Sequence, residues 1–163
     1  MLAIASLCLV LPNLNVYWSG IIPYSNFFTK GEYKKIIPSG AKVLVLPTYE
    51  RGGYTPAMWQ LESNFWFVLT DAPVPAKGTN WKIYGWIYSP DGSSMATRQY
   101  RFLNFLKYSN TQFVITDIHL SSGELTNVFT TLHFPYRKYG NVRVYEISYS
   151  EINNRLASLG SGK

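Results

Sequence analysis

Charge is missing from the first part of this chain: no Lys, Arg, Asp or Glu precedes Lys30, and all 15 basic and 9 acidic side chains lie from Lys30 onward. A stretch of that length without charge gains little from contact with water. Cysteine is also nearly absent. Cys8 is the only one, so no disulfide can form within the chain. A chain this poor in cysteine is compatible with a bacterial extracytoplasmic location. The sequence has one long apolar run, residues 2–11, and it is short for a complete membrane span, which takes about 20 residues. Pro12, Asn13 and Asn15 interrupt it. No basic residues precede it, as a secretory signal would require. The run therefore reads as the end of a membrane span, with Tyr17 and Trp18 placed as interfacial aromatics. A cleaved signal and a buried core segment remain open.

The chain has no run of four or more basic residues and no nucleic-acid-binding module, so its net charge of +6 gives no case for nucleic acid. A solvated basic surface and attraction to anionic lipid head groups or a phosphorylated carrier both account for the charge. Charged residues make up 15% of the chain, below the roughly 25% of ordinary soluble domains. Aromatic residues make up 17%, including 13 Tyr and 5 Trp. That is enough for a core and for half-apolar surface of the kind found at membranes, protein interfaces and sugar sites.

At 163 residues the chain has room for one domain and an anchor. Four segments follow: 1–16, the end of a span and its interface; 17–41, a connector; 42–149, a globular domain; and 150–163, a tail that could be a frayed helix. Residues 21–28 read as extended and 31–36 as one or two helical turns. Residues 42–47 and 112–116 are near-continuous apolar strands of the doubly covered kind. Residues 65–69 form another apolar strand, and 142–148 alternate as an edge strand, which could be antiparallel. Helices are expected from Thr55-Pro56, over 97–108, and after Ser121, where Glu124 completes a capping pattern. Leu125, Val128, Phe129 and Leu132 would share one side of that last helix. Strands separated by helices predict an α/β layered domain, Rossmann-like, with a mainly parallel sheet flanked by helices.

The segments 27–33 and 37–47, the element Trp59-Gln60-Leu61-Glu62-Ser63 with the aromatic strand after it, and the closing strand, helix and 140–147 pattern together resemble one known protein class. They are similar to the C-terminal extracytoplasmic domain of bacterial polytopic glycosyltransferase-like membrane proteins of the GT-C type. The chain departs from that pattern at Asp71-Ala72-Pro73, where relatives carry Gly-Gly-Tyr, and in a longer aromatic insertion at 79–88. Nothing here matches the catalytic carboxylate of such enzymes, which lies in an early loop between spans. The resemblance implies a fragment acting as a noncatalytic accessory domain, held at the cell membrane on the extracytoplasmic side. It implies no cofactor. Its implied partners are its own upstream membrane region, lipid head groups, and a polyprenyl-phosphate sugar or glycan acceptor. The alternative is a membrane-tethered carbohydrate- or protein-binding domain.

The strongest polar constellation is Glu50, Arg51, Tyr54, Trp59, Gln60 and Glu62. It follows the first strand, where the carboxyl ends of α/β sheets form crevices. Trp59 could stack on a sugar face, Gln60 and Glu62 could bond hydroxyls, and Arg51 could meet a phosphate. Equally, Trp59 could be core, Gln60 and Glu62 could brace a loop, and Arg51 could pair with Glu50. Asp117 ends the third strand beside the same crevice, as a catalytic acid or as a polar residue leading into a helix. His119 and His133 have no neighbour at metal spacing. A small hydrolase has the least support, since no nucleophile has an evident base.

Overall fold

The computed structural model describes residues 25–46, 48, 55–70, 93–118 and 124–160. In chain order the elements are α1 (Asn26–Thr29), a 3-10 turn (Glu32–Lys35), β1 (Lys42–Leu46), α2 (Thr55–Glu62), β2 (Val68–Leu69), α3 (Met95–Tyr108), β3 (Phe113–Asp117), α4 (Glu124–Thr130), β4 (Arg137–Tyr139), β5 (Val142–Glu146) and α5 (Tyr149–Gly160). The strands form one sheet in the order β2-β1-β3-β5-β4. β1 pairs parallel with β2 and with β3, whereas β5 pairs antiparallel with β3 and with β4. The fold is therefore α/β, as the sequence predicts, but the sheet is mixed rather than mainly parallel. β5 is an interior strand, not an edge. The edge is β4, which closes a hairpin through Gly140 and Asn141; Gly140 has φ +58°, a value that suits glycine at the first central position of a two-residue turn.

Alternate side chains of the central strands feed two cores. On one face Val43, Val45, Phe113, Ile115, Val142 and Val144 pack with Trp59 of α2 and with Phe27, Phe28, Tyr33 and Ile37. On the other, Leu44, Leu46, Val114 and Tyr145 pack with Phe102, Leu103 and Leu106 of α3, with Leu125, Val128 and Phe129 of α4, and with Ile152 of α5. Two covered faces explain why β1 and β3 are apolar almost throughout. The expected apolar side of α4 is observed: Leu125, Val128, Phe129 and Leu132 are all buried.

Both flanks of the expected globular segment belong to the core. The described part of the connector, 25–41, includes a helical turn at 26–29 in place of the expected extended chain. Ser25 caps that turn by accepting a hydrogen bond from the Phe27 amide. The rings of Phe27 and Phe28 lie 5.0 Å apart, and Phe28 is a further 5.0 Å from Trp59. The tail is a twelve-residue helix, with Ile152 buried and Leu156 and Leu159 against the core. The second strand is shorter than 65–69. Asn64 and Phe65 both have positive φ, so α2 ends in a left-handed turn that sends Phe65 outward, 64% exposed, before β2 can begin.

Among the described residues no helix is long and apolar enough to cross a membrane. The 2–11 run, Tyr17 and Trp18 lie outside them, as do the departures at 71–73 and 79–88.

Candidate functional site

The connections of the sheet locate a crevice. α2, which follows β1, packs on one face, and α4, which follows β3, packs on the other. Adjacent parallel strands whose helices leave to opposite faces open a cleft at their carboxyl ends. Here that switch point lies past Leu46 of β1 and Thr116 of β3, which are in register. Thr48 and Asp117, at these strand ends, are both buried. The Asn141 side-chain amide donates to Asp117 Oδ2 at 3.2 Å, and the Ile118 amide donates to the Asn141 carbonyl at 2.9 Å. Asp117 thereby ties the β4–β5 turn to the end of β3. A brace between strands is what this geometry supports for Asp117.

Trp59, Gln60 and Glu62 are not at this crevice. β1 and β2 are parallel, so α2 must carry the chain back to the level where β1 starts. Its eight residues span about 12 Å. Thr55 lies toward the carboxyl end of β1, and Glu62 lies at the opposite end of the sheet. The hydrogen bonds agree. Tyr33 Oη donates to the Ser63 carbonyl at 3.0 Å, Trp66 Nε1 to the Ile37 carbonyl at 2.7 Å, and the Gly40 amide to the Trp66 carbonyl at 2.7 Å. All three join the end of α2 to residues preceding β1.

Trp59 is 0% exposed, so it offers no face to a sugar. The Gln60 side-chain amide donates to the Phe67 carbonyl at 3.1 Å, bridging the turn after α2. These two residues form a brace and part of the core, in place of the stacking site. Glu50, Arg51 and Tyr54 fall between Thr48 and Thr55, outside the described residues.

Glu62 differs from its neighbours. Its side chain is only half-buried overall, yet both carboxylate oxygens are covered and, among the described residues, neither has a hydrogen-bond donor. Burial pushes its carboxyl above the ordinary glutamate value. The folded protein therefore holds this proton more tightly than the unfolded chain does. The resulting penalty is absent at acid pH, where both states are protonated. It grows as pH rises past the unfolded value and is complete above the folded one. Glu62→Gln is expected to stabilise the protein at neutral pH by less than about 1 kcal/mol, because solvent partly screens the half-exposed side chain. The gain should shrink as the pH is lowered through the carboxylate range. Urea melts at several pH values test this, and a gain independent of pH would show that the carboxylate is solvated.

A second polar cluster, which no sequence motif marks, lies at the other edge of the sheet. Arg143 projects from β5 on the α4 face, with its guanidinium 4.9 Å from the ring centre of Tyr136. The signal was present in Val142-Arg143-Val144, where alternation puts a cation on a covered face. Among the described residues no group of three His, Cys, Asp or Glu could hold a metal ion. No protein-family model, curated protein or solved structure matches the chain.

Proposed function

We propose that this chain is a membrane-held accessory domain of a glycosyltransferase-like protein, on the extracytoplasmic side, with no transferase chemistry of its own. It would lie beside its own upstream membrane region and anionic head groups. Its crevice would contact a polyprenyl-phosphate sugar or a glycan acceptor. One observation carries this reading: the charge-free stretch runs directly into the folded core. Asn26, Phe27, Phe28 and Thr29 belong to that stretch, and both rings are buried. Residues 1–24 are therefore joined to the domain at a capped, packed turn. Anything holding those residues at a bilayer also holds the domain close to it.

Flotation with phosphatidylglycerol vesicles tests the reading. The full chain is expected to float with the vesicles, and a chain beginning at Ser25 is expected to stay largely in the soluble fraction. A full chain that remains soluble in the presence of vesicles would remove the membrane assignment. Incubation with polyprenyl-phosphate sugars and candidate acceptors should give no turnover. Transfer that disappears in Asp117→Asn would make the domain an enzyme.

The topological switch point between β1 and β3 favours a second reading, a membrane-tethered carbohydrate- or protein-binding domain. Glycan-induced amide shifts at Thr48, Thr116 and Asp117 in the absence of any membrane region would support it.

A further inference from the structure

Beside the Tyr136–Arg143 pair is an open cavity of about 500 Å³, lined by Thr130, His133, Phe134, Pro135, Tyr136, Arg143 and Tyr145. Its chemistry is one-sided: among the described residues it has a guanidinium, an imidazole, a threonine hydroxyl and two phenols, and no carboxylate. Arg143 is held in place by packing. Its side chain lies over Tyr136, and Tyr136 in turn is 5.3 Å from Tyr145. The Arg143 Nε atom is buried and, among the described residues, has no hydrogen-bond partner. Arg143 also borders the open cavity, and an anion is the natural complement of the guanidinium edge it presents there. The other cation beside Phe134 is Arg155, and it is already bridged to Glu151 at 2.6 Å. A smaller cavity of about 280 Å³ on the opposite side of Tyr136 carries Glu146 together with Arg137, so its charges offset each other. Among the described residues, the larger cavity presents the Arg143 guanidinium with no acid in its lining.

We propose that this cavity is a binding site for a phosphate monoester, with Arg143 as the main contact. A guanidinium fixed on an aromatic ring presents its N–H fork to phosphate oxygens in a set orientation. Thr130 and His133 border the same space; the Thr130 hydroxyl already donates to the Asn127 carbonyl at 2.9 Å, which leaves the His133 ring as the further polar group. Tyr136, half-exposed, offers its ring edge to the apolar or sugar portion of the ester. The site lies on the α4 face at the β4–β5 edge of the sheet, and the proposal does not depend on the membrane reading. Failure of either leaves the other standing.

The test is a titration of the full chain in detergent micelles, following the Arg143 Nε–H resonance by proton–nitrogen NMR. One arm uses glucose 1-phosphate, with glucose and sodium sulfate as controls. The other arm uses micelles doped with phosphatidic acid, which carries the same phosphate monoester on a lipid. A saturable shift of the Arg143 Nε–H signal with either ester, and none with glucose, is expected. A response only to the soluble ester identifies a sugar-phosphate source, and a response only to phosphatidic acid identifies a head group. Arg143→Gln should weaken binding by at least about tenfold, and Arg143→Lys by less. If Arg143→Gln does not fold, the wild-type Nε–H titration decides alone. An unmoved Nε–H signal in both arms, an equal response to sulfate, or undiminished binding by a folded Arg143→Gln protein would overturn the assignment and leave Arg143 as a stacking partner of Tyr136.

Discussion

Trp59→Ala is expected to cost about 3–5 kcal/mol of folding stability, the usual penalty for removing a large buried aromatic side chain. Trp59 is among the largest fully buried side chains, and its ring lies against Phe28 in the core beneath α2. Natural domains have only about 5–15 kcal/mol in total. The variant should therefore lose most of its urea resistance or fail to give a cooperative melt. Trp59→Phe retains a ring in the same space and should cost less. A residue that stacked on sugars from the surface would behave differently, because its removal would abolish binding and leave the melt almost unchanged. A measured loss below about 1 kcal/mol would return Trp59 to the surface.

The second large effect concerns where the folded unit begins. A chain beginning at Ser25 keeps every described core contact and should melt cooperatively. A chain beginning at Lys30 loses Phe27 and Phe28, at about 3–5 kcal/mol for each buried ring. Phe28 also lies near Tyr33 and Phe67, and Phe27 near Tyr139, so the deletion opens one side of the sheet. The shorter chain is expected to be unfolded or nearly so by urea titration. Equal melts for the two chains would show that residues 25–29 are a connector after all.

Periodicity made the central strands legible. β1 and β3 are apolar on both faces because helices cover both faces, and no other arrangement suits such runs as well. The apolar side of α4 could be read for the same reason. The edges could not. Arg137-Lys138-Tyr139 has no alternation, and only its pairing with β5 makes it a strand. The apolar run at 65–69 suggested a longer strand than exists, because the sequence does not display the positive φ values of Asn64 and Phe65. The last helix was legible in principle: Ile152, Leu156 and Leu159 follow helical spacing and face the core.

The candidate site was harder, for a reason of direction. Residues close to β1 in sequence were assigned to the carboxyl end of β1. A crossover helix carries its last residues to the opposite end of the sheet, so Glu62 is separated from the crevice by the length of α2. Residue type did not correct the error, since tryptophan and glutamine serve a sugar site and a braced core equally well. The crevice itself follows from which face each helix covers, and that requires the full topology.

The ends of the sheet have a consequence for how these molecules behave in a crowd. An exposed strand edge is a template on which another chain can add, and long apolar edges seed fibrils. One border here is β2, only two residues long. The other is β4, three residues whose first two are the exposed cations Arg137 and Lys138. A second copy approaching β4 edge-on would set lysine and arginine against like charges, and at β2 it would find too little backbone to pair with. Each border thus resists strand addition in its own way, one by repulsion and one by brevity. The five strands of the described residues can remain a closed set even when many copies are gathered on a small surface.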